Sequence, residues 1–314
     1  MASRSASRLA RRLAGLLLAA GAVLGSVSPT SAALRVVASL PDEADLARQI
    51  GGDRVDVTTI AEGTQDPHKV PVKPSFVVKL NRADALVVQG LGLEHAFVPA
   101  LLEAARNARI VPGAPGYIDA SLYVTPLDVP TSQSREQGEL HPLGNPHFNL
   151  DPEQAKLMAR AIAEGLARVD PAGAASYQEN LARFTAVLER KIQEWQQLAA
   201  PLRGVKAVSY HEDMVYLARR YGLVMVGTIE VKPGVPATPA HVEELVETMK
   251  REGVRLVIRE VAYEAGLADS LAERTGARVV TVSTLAGGLG TAGYVESIQA
   301  DLEALVAAVQ GAPR

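Results

Sequence analysis

The stretch DPAGAASYQENLARFTAVLERKIQEWQQLAAP, residues 170–201, sets the architecture. Tyr177, Leu181, Phe184, Leu188, Ile192 and Trp195 recur three or four positions apart, which is one apolar stripe on a helix. Asp170-Pro171 is a start signal and Pro201 a stop. The roughly 28 residues between them would span about 42 Å at 1.5 Å per residue. No Gly or Pro lies within Ser176–Leu198 to kink the helix, so it reads as a stiff beam.

Both flanks of this beam alternate short β-branched runs with amphipathic stretches, the pattern of α/β units around a parallel sheet. On the N-terminal side, strands are predicted at Arg35–Ser39, Val55–Ile60, Ala85–Gln89 and Arg109–Val111, and helices near Asp42–Ile50, Pro74–Asn81 and Glu94–Asn107. On the C-terminal side, strands are predicted at Lys206–Ser209, Val224–Thr228, Arg255–Ile258 and Arg278–Val282. Helices there fall near Asp213–Tyr221, Pro239–Arg251, Glu264–Thr275 and Tyr294–Val309. The expected fold is therefore α/β, two similar lobes with mainly parallel sheets joined by a long rigid helix.

A loop, Pro112–Pro146, rich in Gly, Pro, Ser and Thr, separates the first array from a helix starting at Asp151-Pro152. Asp151 as N-cap, Pro152 at N1 and Gln154 at N3 resemble a capping box. The expected divisions are 34–150 for the first lobe including the loop 112–146, 151–201 for the helical segment, and 202–314 for the second lobe.

The 314 residues contain no Cys, which excludes disulfides, thiolate metal sites, iron–sulfur clusters and a cysteine-linked lipid. A metal would have to be held by nitrogen and oxygen. With 32 basic against 35 acidic residues and no basic run in the body, nucleic acid is not an expected partner. Arg4, Arg8, Arg11 and Arg12 precede an apolar stretch, Leu13–Val27, and Ser31-Ala32-Ala33 follows, the layout of a secretory signal peptide over 1–33. The apolar stretch is shorter than the roughly 20 residues a membrane span needs. Losing those four arginines leaves 28 basic against 35 acidic residues, a mature charge of −7. An exported, periplasmic protein is expected, with no stable membrane insertion of the mature chain.

Six histidines offer nitrogen ligands. His68 and His211 each follow a predicted strand, on the edges where open α/β sheets gather ligands. His147 stands four residues before the N-cap Asp151, where a helix dipole favours the neutral ring. His95 and His241 sit in predicted first turns and read as surface or capping residues, and His141 in the long loop is undecided. The gaps are too long for a local motif such as H-E-x-x-H.

The surrounding motifs are more specific. Ile50-Gly51-Gly52-Asp53-Arg54-Val55 is followed by Asp66-Pro67-His68, Lys73-Pro74-Ser75, Ala83-Asp84 and Gly90-Leu91-Gly92-Leu93-Glu94. Asn145-Pro146-His147 then precedes Leu150-Asp151-Pro152, and Ser209-Tyr210-His211 precedes Tyr216 and Tyr221-Gly222-Leu223. Thr228-Ile229-Glu230 stands before Lys232-Pro233-Gly234. In this order the chain resembles the solute-binding proteins of zinc and manganese ABC transporters, the class with a rigid interlobe helix, over essentially all of its mature length.

The resemblance implies a metal site in the interlobe cleft with ligands His68, His147 and His211, and a permease as partner. Three neutral imidazoles can converge on Zn²⁺ at about 2.0–2.1 Å and leave a fourth position for a carboxylate or water. Manganese-specific relatives tend to carry a carboxylate where His211 stands, so the resemblance tilts to zinc as the transported ligand, with Mn²⁺ as the alternative. Many members use an Asp before the final helix, but Gly287-Gly288-Leu289-Gly290-Thr291-Ala292-Gly293 has no acid. The histidine-rich loop of many zinc binders is absent too, since Pro112–Pro146 has only His141.

For the fourth position Glu260, at a predicted strand end, is the favoured candidate against a surface or Arg259-paired Glu. Glu230 is second and reads more as loop architecture, and water completes the shell otherwise. The expected function is a monomeric, non-enzymatic carrier that captures zinc and delivers it to an ABC transporter permease. The rivals are manganese or iron delivery, a secreted zinc hydrolase and a surface adhesin. Against the hydrolase, no acid sits in a general-base motif beside a ligand.

Overall fold

The computed structural model describes residues 32–130, 141–231 and 235–311. Nearly all of the expected signal peptide and the Lys232-Pro233-Gly234 motif lie outside the described residues. Strands β1 (Leu34–Ala38), β2 (Val55–Thr59), β3 (Ala85–Val88) and β4 (Tyr117–Asp119) form one parallel sheet in the order β2-β1-β3-β4. Strands β5 (Lys206–Ser209), β6 (Val224–Thr228), β7 (Leu256–Glu260) and β8 (Arg278–Val282) form a second in the order β6-β5-β7-β8, also parallel. The same order occurs twice, so the two lobes share one plan. In each, the strand order reverses beside the first strand, where open α/β sheets leave a crevice.

The fourth strand departs from expectation. Arg109–Val111 is a turn, and the pairing with β3 is made by Tyr117–Asp119 inside the stretch 112–146 read as loop. Ile110 is fully buried as a plug in the core, and Pro112 and Gly113, with φ at +87°, turn the chain before it can run beside β3.

The helices are α1 (Pro41–Gly51), α2 (Pro74–Arg82), α3 (Val98–Ala105), α4 (Pro152–Val169), α5 (Ala174–Leu198), α6 (Val215–Tyr221), α7 (Pro239–Glu252), α8 (Ala265–Thr275) and α9 (Tyr294–Gln310). Helices α1, α2, α3, α4 and α7 carry Pro in the first turn, where its missing N–H costs nothing and its φ is already helical. Pro99 also explains why α3 starts later than the apolar pattern from Glu94 suggests. Asp151 caps α4 by accepting the Glu153 N–H at 2.9 Å. The reciprocal half of a capping box does not form, because the Asp151 N–H is already given to Phe148 O, and Gln154 Oε1 is buried without a partner.

The beam is shorter than its sequence pattern. A 3₁₀ turn, Pro171–Gly173, precedes the 25 residues of α5, and a second 3₁₀ turn, Ala200–Leu202, absorbs Pro201. At Gly173 an added Cβ would lie 2.4 Å from both Arg54 Nε and Asp170 Oδ2, so glycine there lets Arg54 close its ion pair on Asp170 at 2.6 Å. Tyr177 donates to the same carboxylate at 2.8 Å. These contacts tie the foot of α5 to the first lobe, while Trp195 Nε1 near its far end donates to Gln299 of α9 in the second.

Strand alternation divides the apolar residues into three clusters. Val36 and Ala38 of β1 and Ala85 and Val87 of β3 face one way, and Ala207 of β5 with Leu256 and Ile258 of β7 face the same cluster from the second lobe. Tyr177, Phe184, Leu188 and Trp195 of α5 lie between them, with Met158 and Ile162 of α4 and Ile298 and Leu302 of α9. The opposite sheet faces pack separately, Val37, Leu86 and Val88 in one lobe and Val208 and Val257 in the other. One continuous core therefore runs from lobe to lobe through α5.

Trp195→Ala tests that continuity. It should destabilise the protein by about 3–5 kcal/mol, as for other buried aromatics, and calorimetry should show both lobes melting in one displaced transition. Two separated transitions would mean that the lobes hold independent cores.

Candidate metal centre

Each histidine that the sequence places at a strand end is set by backbone bonds continuing the ladder. After β2, Ile60 and Ala61 donate to Ala38 O and Ser39 O at 3.0 Å, and the loop turns so that the His68 N–H reaches Asp66 Oδ1 at 2.9 Å. Gly63 in that loop lies against the second lobe. A Cβ there would stand 2.3 Å from Ala286 O and 2.5 Å from Gly288 N, so only glycine permits the approach. After β5, the Tyr210 N–H donates to Ile258 O at 2.9 Å, and the Ser209 hydroxyl donates to His211 O. His147 opens a 3₁₀ turn, Phe148–Leu150, with its N–H on Asn145 Oδ1 at 3.0 Å.

The segment carrying His147 is held from both lobes. Gln89, at the end of β3, donates to Pro146 O and Asn149 Oδ1, while Asn149 donates to Thr284 O of the second lobe at 2.8 Å. Asn145 Nδ2 donates to Glu212 O at 2.7 Å, and Tyr216 of α6 donates to Asn145 O at 2.9 Å. Arg220 grips Asp151 through two bonds of 2.7 and 2.9 Å.

These restraints bring the three rings together. The His68 ring centroid lies 5.2 Å from that of His147 and 5.0 Å from that of His211, and His147 lies 5.5 Å from His211. His68 Nε2 and His147 Nε2 are 3.2 Å apart. Two nitrogens bound to one tetrahedral ion at 2.0–2.1 Å would stand about 3.3–3.4 Å apart, so this pair is already spaced for a shared ion. The structure adds a residue that sequence reading left undecided. One ligating nitrogen each from His68, His141 and His147 lie within 4.8 Å of one another, and the His141 ring centroid is 5.0 Å from that of His68. Its position in an irregular loop offers no periodicity from which this placement could be read.

Glu230, read from sequence as a loop residue or possible ligand, accepts from His211 Nδ1 at 3.0 Å. The carboxylate is fixed in turn, because the Glu230 N–H donates to Tyr210 O and its carbonyl accepts the Thr228 hydroxyl. With Nδ1–H committed, His211 presents the Nε2 lone pair, the orientation that ligating histidines need. Glu260 is neither a surface residue nor paired with Arg259, whose guanidinium binds Tyr263 O and Thr281 Oγ1. It is buried beside Asp213, and burial raises the pKa of both acids, that of Glu260 well above the carboxylate range. It stands outside the nitrogen triplet of His68, His141 and His147, as does His211, whose ring nevertheless lies against those of His68 and His147. His95 is exposed, with Nδ1 3.0 Å from Gly92 O, and His241 lies in the first turn of α7 with its N–H on the Thr238 cap. Tyr263 stacks on Tyr210 at 4.3 Å and walls the His211 side of the cluster.

Burial also sets the protonation states. His68, His147 and His211 are 6%, 3% and 3% exposed. Desolvation, then the charge of His211, pulls His68 down to about 2, and desolvation holds His147 well below its usual range and His141 at about 4. His211 is the exception. Burial lowers it, but the Glu230 hydrogen bond and the charges of Asp213 and Glu230 outweigh burial and leave it raised above 6.5. The centre thus holds three imidazoles in the metal-ready neutral form and one, His211, whose protonated form is favoured.

Residues 36–308 match the family described as "Zinc-uptake complex component A periplasmic" (ZnuA). The iron ABC transporter substrate-binding lipoprotein MtsA of Streptococcus pyogenes is 26% identical over 80% of this chain and 79% of its own length. The manganese ABC transporter substrate-binding lipoprotein PsaA of Streptococcus pneumoniae is 28% identical over 73% of this chain and 72% of its own. A crystal structure of a ZnuA deletion mutant with zinc bound superposes with a TM-score of 0.75 at 31% identity, covering 90% of this chain and all of that one.

A divalent ion that took the His211 Nε2 lone pair would, below the His211 pKa, have to expel one proton on binding. Affinity should be flat at alkaline pH and fall about tenfold per pH unit once His211 is protonated, a slope of one down to pH 5. Glu230→Gln removes the partner that favours the imidazolium and should move this fall to lower pH. Calorimetric titration in buffers of different ionisation enthalpy counts the protons. Release of two or three at pH 6 would show that His68 and His147 titrate as ordinary imidazoles.

Proposed function

The chain belongs to the ZnuA family of metal ABC transporter substrate-binding proteins, and from that premise we propose that it captures Zn²⁺ outside the cytoplasm and hands it to a membrane permease. The relatives named above are solute-binding transport components and not enzymes. Zinc as cargo is supported chiefly by the donor set: the rings of His68, His147 and His211 come together from the two lobes and the segment between them, and among the described residues the cluster of close ligating nitrogens, those of His68, His141 and His147, includes no carboxylate. Imidazole suits zinc, whereas manganese favours carboxylate, carbonyl and water oxygens. His68 Nε2 and His147 Nε2, buried and 3.2 Å apart, are also close to the spacing a shared tetrahedral ion requires.

Periplasmic export follows the N-terminal signal pattern, and among the described residues no helix is long and apolar enough to cross a membrane. The cargo must be released again, so the site is a carrier's site: the protein offers geometry and desolvation, and nothing in the reading requires the ion to activate water.

Elemental analysis of protein purified without added metal, followed by competition among Zn²⁺, Mn²⁺ and Fe²⁺, tests the reading. One zinc per chain is expected, with His68→Ala, His147→Ala and His211→Ala each weakening binding strongly while the fold persists, and His241→Ala binding normally. Unchanged zinc titrations in any two of the three ligand variants would overturn it.

The shared core predicts how the carrier responds. Bending α5 would break its hydrogen-bond ladder and the packing of Phe184, Leu188 and Trp195. Metal arrival should therefore order side chains and loops around the cluster with little lobe rotation. Solution scattering should give nearly the same radius of gyration with and without zinc; a large decrease would show hinge closure.

A further inference from the structure

The third member of the nitrogen triplet has no role in a three-histidine site. His141 begins a tight turn in which its carbonyl accepts the Gly144 N–H at 3.0 Å. Gly144 has φ at +106°, and a Cβ there would meet Pro126 Cβ at 2.6 Å and Leu127 O at 2.9 Å, so the turn is packed down on its neighbours. The next residue locks it: the Asn145 N–H donates to Leu127 O at 2.8 Å, and the Asn145 side chain reaches the second lobe through Glu212 O. His141 and His147 therefore project from one anchored seven-residue span, and the turn between them keeps their rings 6.3 Å apart, nearly perpendicular at 85°.

Two further observations mark His141 as more than a bystander. Its Nε2 is buried without a hydrogen-bond partner among the described residues, although the residue as a whole is only half-buried. A surface imidazole would turn that nitrogen to water. Here it is withdrawn from solvent, and one nitrogen of the same ring lies within 4.8 Å of a ligating nitrogen of His68 and of His147. A buried polar atom left unpaired costs about 1–3 kcal/mol, which a metal bond would offset.

Building on the zinc-carrier reading, we infer that His141 is the fourth ligand, giving Zn²⁺ a shell of four imidazoles from His68, His141, His147 and His211. It is also the exchange ligand. His68, His147 and His211 are almost wholly enclosed, whereas His141 is the ring that solvent still reaches, so it meets an arriving ion first and releases a departing one last. The fourth coordination position is filled by this protein's own loop, with neither a carboxylate nor water required.

Co²⁺ substitution and zinc competition against a chromophoric chelator test this. The wild-type Co²⁺ protein should show intense visible bands of a tetrahedral nitrogen site. His141→Ala should retain one metal per chain but bind zinc about 10–100-fold more weakly, release it faster to chelator, and give an altered Co²⁺ spectrum as water enters. In His141→Gly, millimolar imidazole should restore the wild-type spectrum, a rescue that a purely structural role would not give. His141→Asn provides a folded, non-ligating control should the smaller side chains loosen the turn. Wild-type affinity and spectrum in His141→Ala, with His68→Ala and His147→Ala still deficient, would overturn the four-imidazole shell and leave the carrier reading intact. Normal binding in His68→Ala and His147→Ala would remove the carrier site itself.

Discussion

A single apolar core shared by the inner faces of two sheets is the constraint on which the rest depends. In a binding protein whose lobes are tied by loose strands, the ligand must draw the halves together. Here Tyr177, Phe184, Leu188 and Trp195 of α5 belong to one apolar cluster with residues of both sheets, so moving one lobe would expose part of the common core. Burial of apolar area at roughly 25 cal/mol per Å² makes that expensive even for modest exposure. A core shared in this way would leave the segments bearing His68 and His211 near their final separation before an ion arrives, and binding would then not bear the entropy of assembling the lobes.

Polar contacts refine what the core sets. Asp42 of α1 accepts the Ala286 N–H at 3.0 Å, Asp45 accepts the Tyr294 N–H at 2.9 Å, and the Tyr294 hydroxyl donates to Asn149 O at 2.7 Å. Together with the approach of Gly63 to Ala286 and Gly288, these close the lobe seam beside the cluster. The seam also keeps water away, and dehydration is what holds His68 and His147 neutral. The same interior would penalise an ion surrounded only by neutral rings. With His211 as a ligand, Glu230 would answer this in part, since its carboxylate, bonded to His211 Nδ1, would feel the metal's charge through the ring without occupying a coordination position. Glu260 and Asp213 are poorly suited to that task, because burial beside one another favours their protonated forms.

The parts legible in the sequence were those with a period. The α5 stripe, the paired βα arrays and the helix starts at Pro41, Pro74, Pro152 and Pro239 follow from spacing and proline chemistry, and the structure has them with boundaries shifted by a few residues. Arg109–Val111 failed because two β-branched residues read alike in a strand and in a buried plug; only the neighbouring Pro112 and Gly113 distinguish them. His68 and His211 were readable as strand-end residues, since topology places such residues in the crevice. His141 was not, because the position of a loop ring depends on long-range anchors, Asn145 to Leu127 and Glu212, that no local pattern reports.

A carrier must bind tightly and still let go, and a preorganised site makes release the harder half. If α5 and the common core do not move, release has to proceed through elements the core does not hold. The loop around His68 is fastened by short local bonds and the Gly63 approach, and the 141–147 span by hydrogen bonds to groups of both lobes; neither is a core strand or helix. Such bonds are individually worth about 0.5–1.5 kcal/mol, small enough for a partner surface to exchange for its own. A permease that drew Asn145 or Asn149 from its second-lobe acceptors would shift His147 and His141 together, removing two ligands from the ion while both sheets stayed in place. On the proposed carrier function, the division between a shared core and a hydrogen-bonded rim would allow one structure to serve both capture and delivery.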